Sequence, residues 1–147
     1  MNTDYIRKLV ELNLDSVGNV FLHCYVVNNL KIGDIYFSLK DITSGIYLII
    51  NKQSSKDLLF DEEFITCKLR FQGIWKNVII PYKSILTISD NLTNPSVIIN
   101  VVENQKSFKK IRETSETINS NNYTDNSKEY NNISTKIIKP NFNNDKK

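Results

Sequence analysis

Apolar residues recur at helical spacing through the first part of the chain. From Asp4 to about Asn28, Ile6, Val10, Leu14, Val17, Phe21, Cys24 and Val27 follow one another at steps of three or four. That spacing keeps them on one face of a helix. Gly18 weakens the middle of this segment, and Asn28, Asn29 and Gly33 end it. A second apolar group, Tyr5, Leu9, Leu12, Leu22, Tyr25 and Val26, lies off the stripe. The surplus calls for a partner surface, and Leu9, Leu12 and Leu22 are expected to form a homodimer interface. Burial of the helix on two sides within one domain is the alternative.

Beyond residue 34 the period changes to two. Ile35–Lys40 and Ile46–Asn51 are β-branched or aromatic runs separated by the turn residues Thr43, Ser44 and Gly45. Phe64–Phe71 alternates, with Ile65, Cys67, Leu69 and Phe71 on one face and Phe64, Thr66, Lys68 and Arg70 on the other. Gln72-Gly73 is a two-residue turn of the kind a tight hairpin favours. Pairing across it sets Phe71 opposite Ile74, Cys67 opposite Val78 and Ile65 opposite Ile80, so the inward faces match on both strands. A short turn at Pro81–Ser84 leads to two further strands, Ile85–Ser89 and Val97–Val102. A helix followed by about six short strands predicts an α+β, mainly β chain: a small, bent antiparallel sheet or open barrel capped by its N-terminal helix.

After Val102 the pattern dissolves. Phe108, Ile111, Ile118, Tyr123, Tyr130, Ile133, Ile137, Ile138 and Phe142 share no common face. A segment so poor in apolar surface does not offset its ordering entropy. The reading is a folded domain over 1–103, with helix 4–28 and strands within 35–102, and a disordered tail over 104–147. A short helix at 103–112 is compatible with it. Charge divides at the same place. Residues 1–102 carry 10 Lys/Arg and 10 Asp/Glu, whereas residues 103–147 carry 9 and 6, so the net charge of +3 resides in the tail.

Composition removes several classes of chemistry. One histidine, His23, leaves no histidine metal cage, and two cysteines, Cys24 and Cys67, are too few for a disulfide scaffold. Cys67 lies on the inward face of its strand and reads as a small core residue. Asp61-Glu62-Glu63 precedes a strand and reads as a solvated turn, not an acid/base pair. His23 and Cys24 are neighbours on the expected helix, so they point about 100° apart and make no nucleophile pair. The four glycines are scattered at 18, 33, 45 and 73, and no phosphate loop is formed. No signal peptide is evident after Met1, and no apolar run reaches the ~18 residues of a membrane span. The expectation is a cytoplasmic, soluble, non-enzymatic protein with no cofactor and no metal.

The stretch around Phe64–Asp90 resembles the core of the SspB (stringent starvation protein B) family. The strand Arg70-Phe71, the turn Gln72-Gly73, the Ile79-Ile80-Pro81-Tyr82 step and the strand Ile85-Leu86-Thr87-Ile88 carry the likeness. The element order agrees over about residues 4–102, and the polar tail agrees in kind. The loop from Ile42 to Leu48 is shorter than in similar members.

The resemblance implies a long N-terminal helix, an Sm-like open barrel and an adaptor function. Family members bind ssrA-type degradation tags on ribosome-rescued proteins and deliver them to the ClpXP protease. It places Leu69, Arg70, Phe71 and Gly73 at the tag groove, with Leu48 and Ile50 on a neighbouring strand. Plain core packing is an equal reading for Leu69 and Phe71, and solvation is the plain reading for Arg70. The resemblance also makes Lys136-Ile137-Ile138-Lys139, within 134–142, the peptide that docks on the N-terminal domain of the ClpX unfoldase. A tether of some 33 flexible residues from Glu103 to Lys136 spans roughly 30 Å. Two other readings stand beside the adaptor: an Sm-like RNA-binding module with a basic arm, and a non-catalytic structural dimer. Against the RNA reading, the domain's net charge is zero, whereas phosphate binding wants clustered Lys/Arg.

Overall fold

A computed structural model describes residues 3–121, with side chains described as far as residue 114. The first helix, α1, spans Asp4–Val17. It ends at Gly18, whose φ of +92° is the left-handed closure that glycine adopts without strain and whose N–H donates to the Leu14 carbonyl. The helix expected over 4–28 is therefore 14 residues long. The remainder forms strand β1 (Asn19–Cys24), in which Val20, Leu22 and Cys24 face inward. The three-to-four spacing of Phe21, Cys24 and Val27 was coincidental. The alternation Val20/Leu22/Cys24 prevails because β1 is paired on both sides, to β3 (Ile46–Asn51) and to β7 (Ile85–Ser89).

The expected strand at 35–40 is also replaced. After the two-residue strand β2 (Lys31–Ile32), the chain reaches Ser38 and turns into helix α2 (Leu39–Ser44). Ser38 and Asp41 make a reciprocal cap: Asp41 N–H donates to Ser38 Oγ at 3.2 Å, and Ser38 N–H donates to Asp41 Oδ2 at 2.8 Å. This local pairing competes with a ladder and wins. Strand β4 (Lys56–Phe60), exposed along most of its length, lies at a sheet edge and has no counterpart in the expectation. The hairpin of β5 (Phe64–Phe71) and β6 (Ile74–Pro81) has the predicted register, with Phe71↔Ile74, Cys67↔Val78 and Ile65↔Ile80. Gln72 and Gly73 both take positive φ, as a tight hairpin turn requires.

The described strands form two four-stranded antiparallel sheets, ordered β3-β1-β7-β8 and β2-β6-β5-β4, where β8 is Ile98–Asn100. No ladder among the described residues joins them, so an Sm-like open barrel is not what the structure shows. Along the described residues the chain passes between the sheets four times, the last time at the 3₁₀ turn Tyr82–Ser84, which follows Pro81. Ile6, Val10 and Leu14 of α1 join the inner faces of both sheets in one core. Tyr82 sits within it, fully buried, and its hydroxyl donates to the Asp61 carbonyl at 2.9 Å.

The boundary expected at 103–104 falls inside a helix. Helix α3 runs Val102–Asn121. Asn104, 3% exposed, anchors it by donating from Nδ2 to the carbonyls of Tyr82 (3.0 Å) and Ile85 (2.8 Å). The rest of the expected tail, including Lys136–Lys139, lies outside the described residues.

Candidate functional site

The residues expected to hold a peptide separate into two groups. Leu48 and Ile50 lie on β3 in one sheet, 2% and 0% exposed; Leu69 and Phe71 lie on β5 in the other, 7% and 6% exposed. All four belong to the main apolar cluster between the sheets. They share one buried apolar layer. Arg70 stands on the opposite, exposed face of β5, in register with Trp75 of β6. Lys56 Nζ lies 4.3 Å from the Trp75 ring centroid on that surface, a cation–π contact. Gly73 is at the hairpin tip.

The expected dimer residues also part company. Leu9 is half-buried against the core, Leu12 is 61% exposed, and Leu22 is fully buried in β1. Tyr5, 44% exposed, is seven residues before Leu12 and so lies on the same side of α1. Asp61, Glu62 and Glu63 are exposed in a bend, as a solvated turn should be. Both cysteines are buried, and burial pushes both thiols up to about 12, far from any thiolate chemistry at neutral pH.

A cleft forms elsewhere, between the first three turns of α3 and the outer face of β1 and β7. Its volume is about 520 Å³, and it is lined by His23, Leu86, Val102, Gln105, Lys106, Phe108, Lys109 and Arg112. Leu86 is 2% exposed yet stands apart from the main core cluster; it points outward from β7 and α3 covers it. Gln105 fixes the helix there, donating from Nε2 to the Leu86 carbonyl at 3.2 Å and to Asn100 Oδ1 at 3.0 Å.

His23 forms one wall. Its ring stacks on Tyr47, centroids 4.3 Å apart at 8°, and meets Phe108 edge-on at 6.3 Å. Phe108 also leans on Tyr25 at 5.7 Å. His23 Nε2 is 2.9 Å from the Ser44 carbonyl. A carbonyl only accepts, so Nε2 carries the proton and Nδ1 is the acceptor of the neutral ring. Desolvation holds His23 below the ordinary histidine range, and the hydrogen bond to Ser44 offsets part of that. Gly45 completes the fit: a Cβ there would lie 2.6 Å from His23 Nε2 and 2.7 Å from the Cys24 carbonyl.

Sequence reasoning treated α3 as the start of a tail and passed over this cleft. The available signal was Val101, Asn104, Phe108 and Ile111 at steps of three, four and three. An asparagine in the buried position broke the apolar stripe and hid it. Among the described residues no cluster of His, Cys, Asp or Glu is arranged to hold a metal ion, and no helix is long and apolar enough to cross a membrane.

The family model described as stringent starvation protein B matches the chain over residues 1–141. No curated protein matches the chain.

Proposed function

The chain belongs to the stringent starvation protein B (SspB) family, a family of non-catalytic adaptors, and on that premise we propose that it binds ssrA-type degradation tags and tethers the tagged proteins to ClpXP. The observation that carries this reading is the extent of the match. It takes in the whole two-sheet domain and continues to residue 141, through Lys136–Lys139. The adaptor holds the tag with one part and the ClpX N-terminal domain with the other, and the gain is effective concentration with no chemical step.

The tag is held at the β5–β6 hairpin. Arg70 supplies an exposed cation there, and Gly73 a backbone that a peptide can approach closely. Leu69 and Phe71 are the wall behind them, backed by Leu48 and Ile50. The protein acts in the cytoplasm as a homodimer through Tyr5, Leu9 and Leu12 of α1. The deciding experiment is anisotropy of a fluorescent ssrA-type peptide with the full chain, beside degradation of a tagged substrate by ClpXP. Binding that Arg70→Glu weakens at least fivefold, with accelerated degradation, supports the reading. A peptide that fails to bind ends it.

A further inference from the structure

We propose that the cleft between α3 and the outer face of β1 and β7 is a second peptide site, which takes a short acidic segment carrying an apolar side chain. None of the residues assigned to the tag lines it, and it stands whether or not the tag binds at the hairpin.

Charge is the first argument. The described domain before α3 is electrically balanced, but residues 103–114 carry four cations against two carboxylates. Three of those cations, Lys106, Lys109 and Arg112, line the cleft at intervals of three residues, while Glu103 and Glu113 do not line it. A row of cations one turn apart beside apolar surface attracts a carboxylate more strongly than the same cations on an open face, because the protein wall lowers the local dielectric.

Shape is the second. At about 520 Å³ the cleft accommodates a few side chains. Leu86 and Phe108 give it an apolar base, and Gln105 is already bound to the Leu86 carbonyl and Asn100, so the floor is fixed before a ligand arrives. The floor also argues for peptide over nucleic acid. Tyr47 covers one face of the His23 ring at 4.3 Å and Phe108 abuts the same ring at 6.3 Å, so the aromatic surface is spent on internal contacts and little ring face remains for a base to stack on.

The test uses the full chain and two fluorescein-labelled hexapeptides: one of alternating leucine and aspartate, the other an amidated leucine/asparagine counterpart. The acidic probe should bind at least tenfold more tightly than its amide counterpart. Lys106→Glu/Lys109→Glu should weaken it at least tenfold, and Lys109→Glu alone by more than Lys110→Glu, which makes the same charge change outside the cleft. Amide chemical-shift changes should centre on residues 102–112 and on His23. Both lysines are exposed, so the variants should keep the wild-type circular dichroism; Lys106→Gln/Lys109→Gln repeats the test with a smaller change. Equal effects of Lys109→Glu and Lys110→Glu, or shifts centred elsewhere, overturn the site. A single-stranded RNA decamer that binds the cleft more tightly than the acidic probe overturns the ligand class. An ssrA-type peptide that fails to bind while the acidic probe binds would overturn the tag reading and leave this one standing.

Discussion

Gly45 shows how closely single residues are fitted around His23. Its φ is +76°, and the two nearest atoms a Cβ would meet, His23 Nε2 and the Cys24 carbonyl oxygen, both belong to a strand paired on both edges. Gly45→Ala is expected to cost about 1–3 kcal/mol, read as a lower urea midpoint. His23 itself makes stability depend on pH. Its folded pKa lies below the unfolded value because burial disfavours the charged ring. The unfolded chain then takes up the proton first, so the contribution is complete above about 6.5 and is lost as pH falls from there through the lower folded value. The melting temperature should decline between pH 7 and 5, and His23→Gln should flatten that slope. A wild-type profile as flat as the variant's would contradict the assignment. Leu69, at 7% exposure, responds as a core residue. Leu69→Gln leaves an amide in the apolar layer and should cost about 2–4 kcal/mol by urea unfolding. Loss of tag binding in that variant therefore counts only beside Arg70→Glu, which touches no core contact.

At the scale of elements, α3 is the unexpected one. Asn104 holds it by two hydrogen bonds to carbonyls at the last sheet crossover, Tyr82 and Ile85. Asn104→Ala leaves both buried carbonyls without that donor. It should cost roughly 1–3 kcal/mol and raise hydrogen exchange selectively over residues 102–112. Ending the chain at residue 103 should likewise destabilise the domain, whereas ending it at 121 should not. The helix α1 offers the other element-level test. With Leu22 buried in β1, the surface left for a dimer is Tyr5, Leu9 and Leu12. Leu12→Glu should give a folded monomer by light scattering, and a wild-type monomer at micromolar concentration would remove the dimer altogether.

For the whole molecule, the proposed tether begins in a helix. Of the residues between Glu103 and Lys136, those to Asn121 belong to a helix of 20 residues, a rod of roughly 30 Å. The proposed docking peptide, Lys136–Lys139, follows that helix in the sequence. Deleting residues 134–147 should leave tag binding unchanged and abolish accelerated degradation of a tagged substrate. Full delivery by residues 1–121 alone would sink the tether.

The sequence by itself determined what strict local rules govern. Phe64–Phe71 alternates without a break and Gln72-Gly73 fixes the turn, so the hairpin register could be read residue by residue and is observed. Ile46–Asn51 and Ile85–Ser89 were legible for the same reason. Only the tertiary structure decided where two local patterns competed. Residues 19–24 satisfy both helical and alternating spacing, and pairing on both edges made them the inner strand of a sheet. Leu48, Ile50, Leu69 and Phe71 were legible as one apolar set, but whether that set lines a groove or fills a core depends on how two sheets close on each other. The cleft was the least legible feature, because its cations lie on a helix whose buried stripe contains Asn104. A polar residue counts as core only when the carbonyls that satisfy it, here Tyr82 and Ile85, arrive from some twenty residues away.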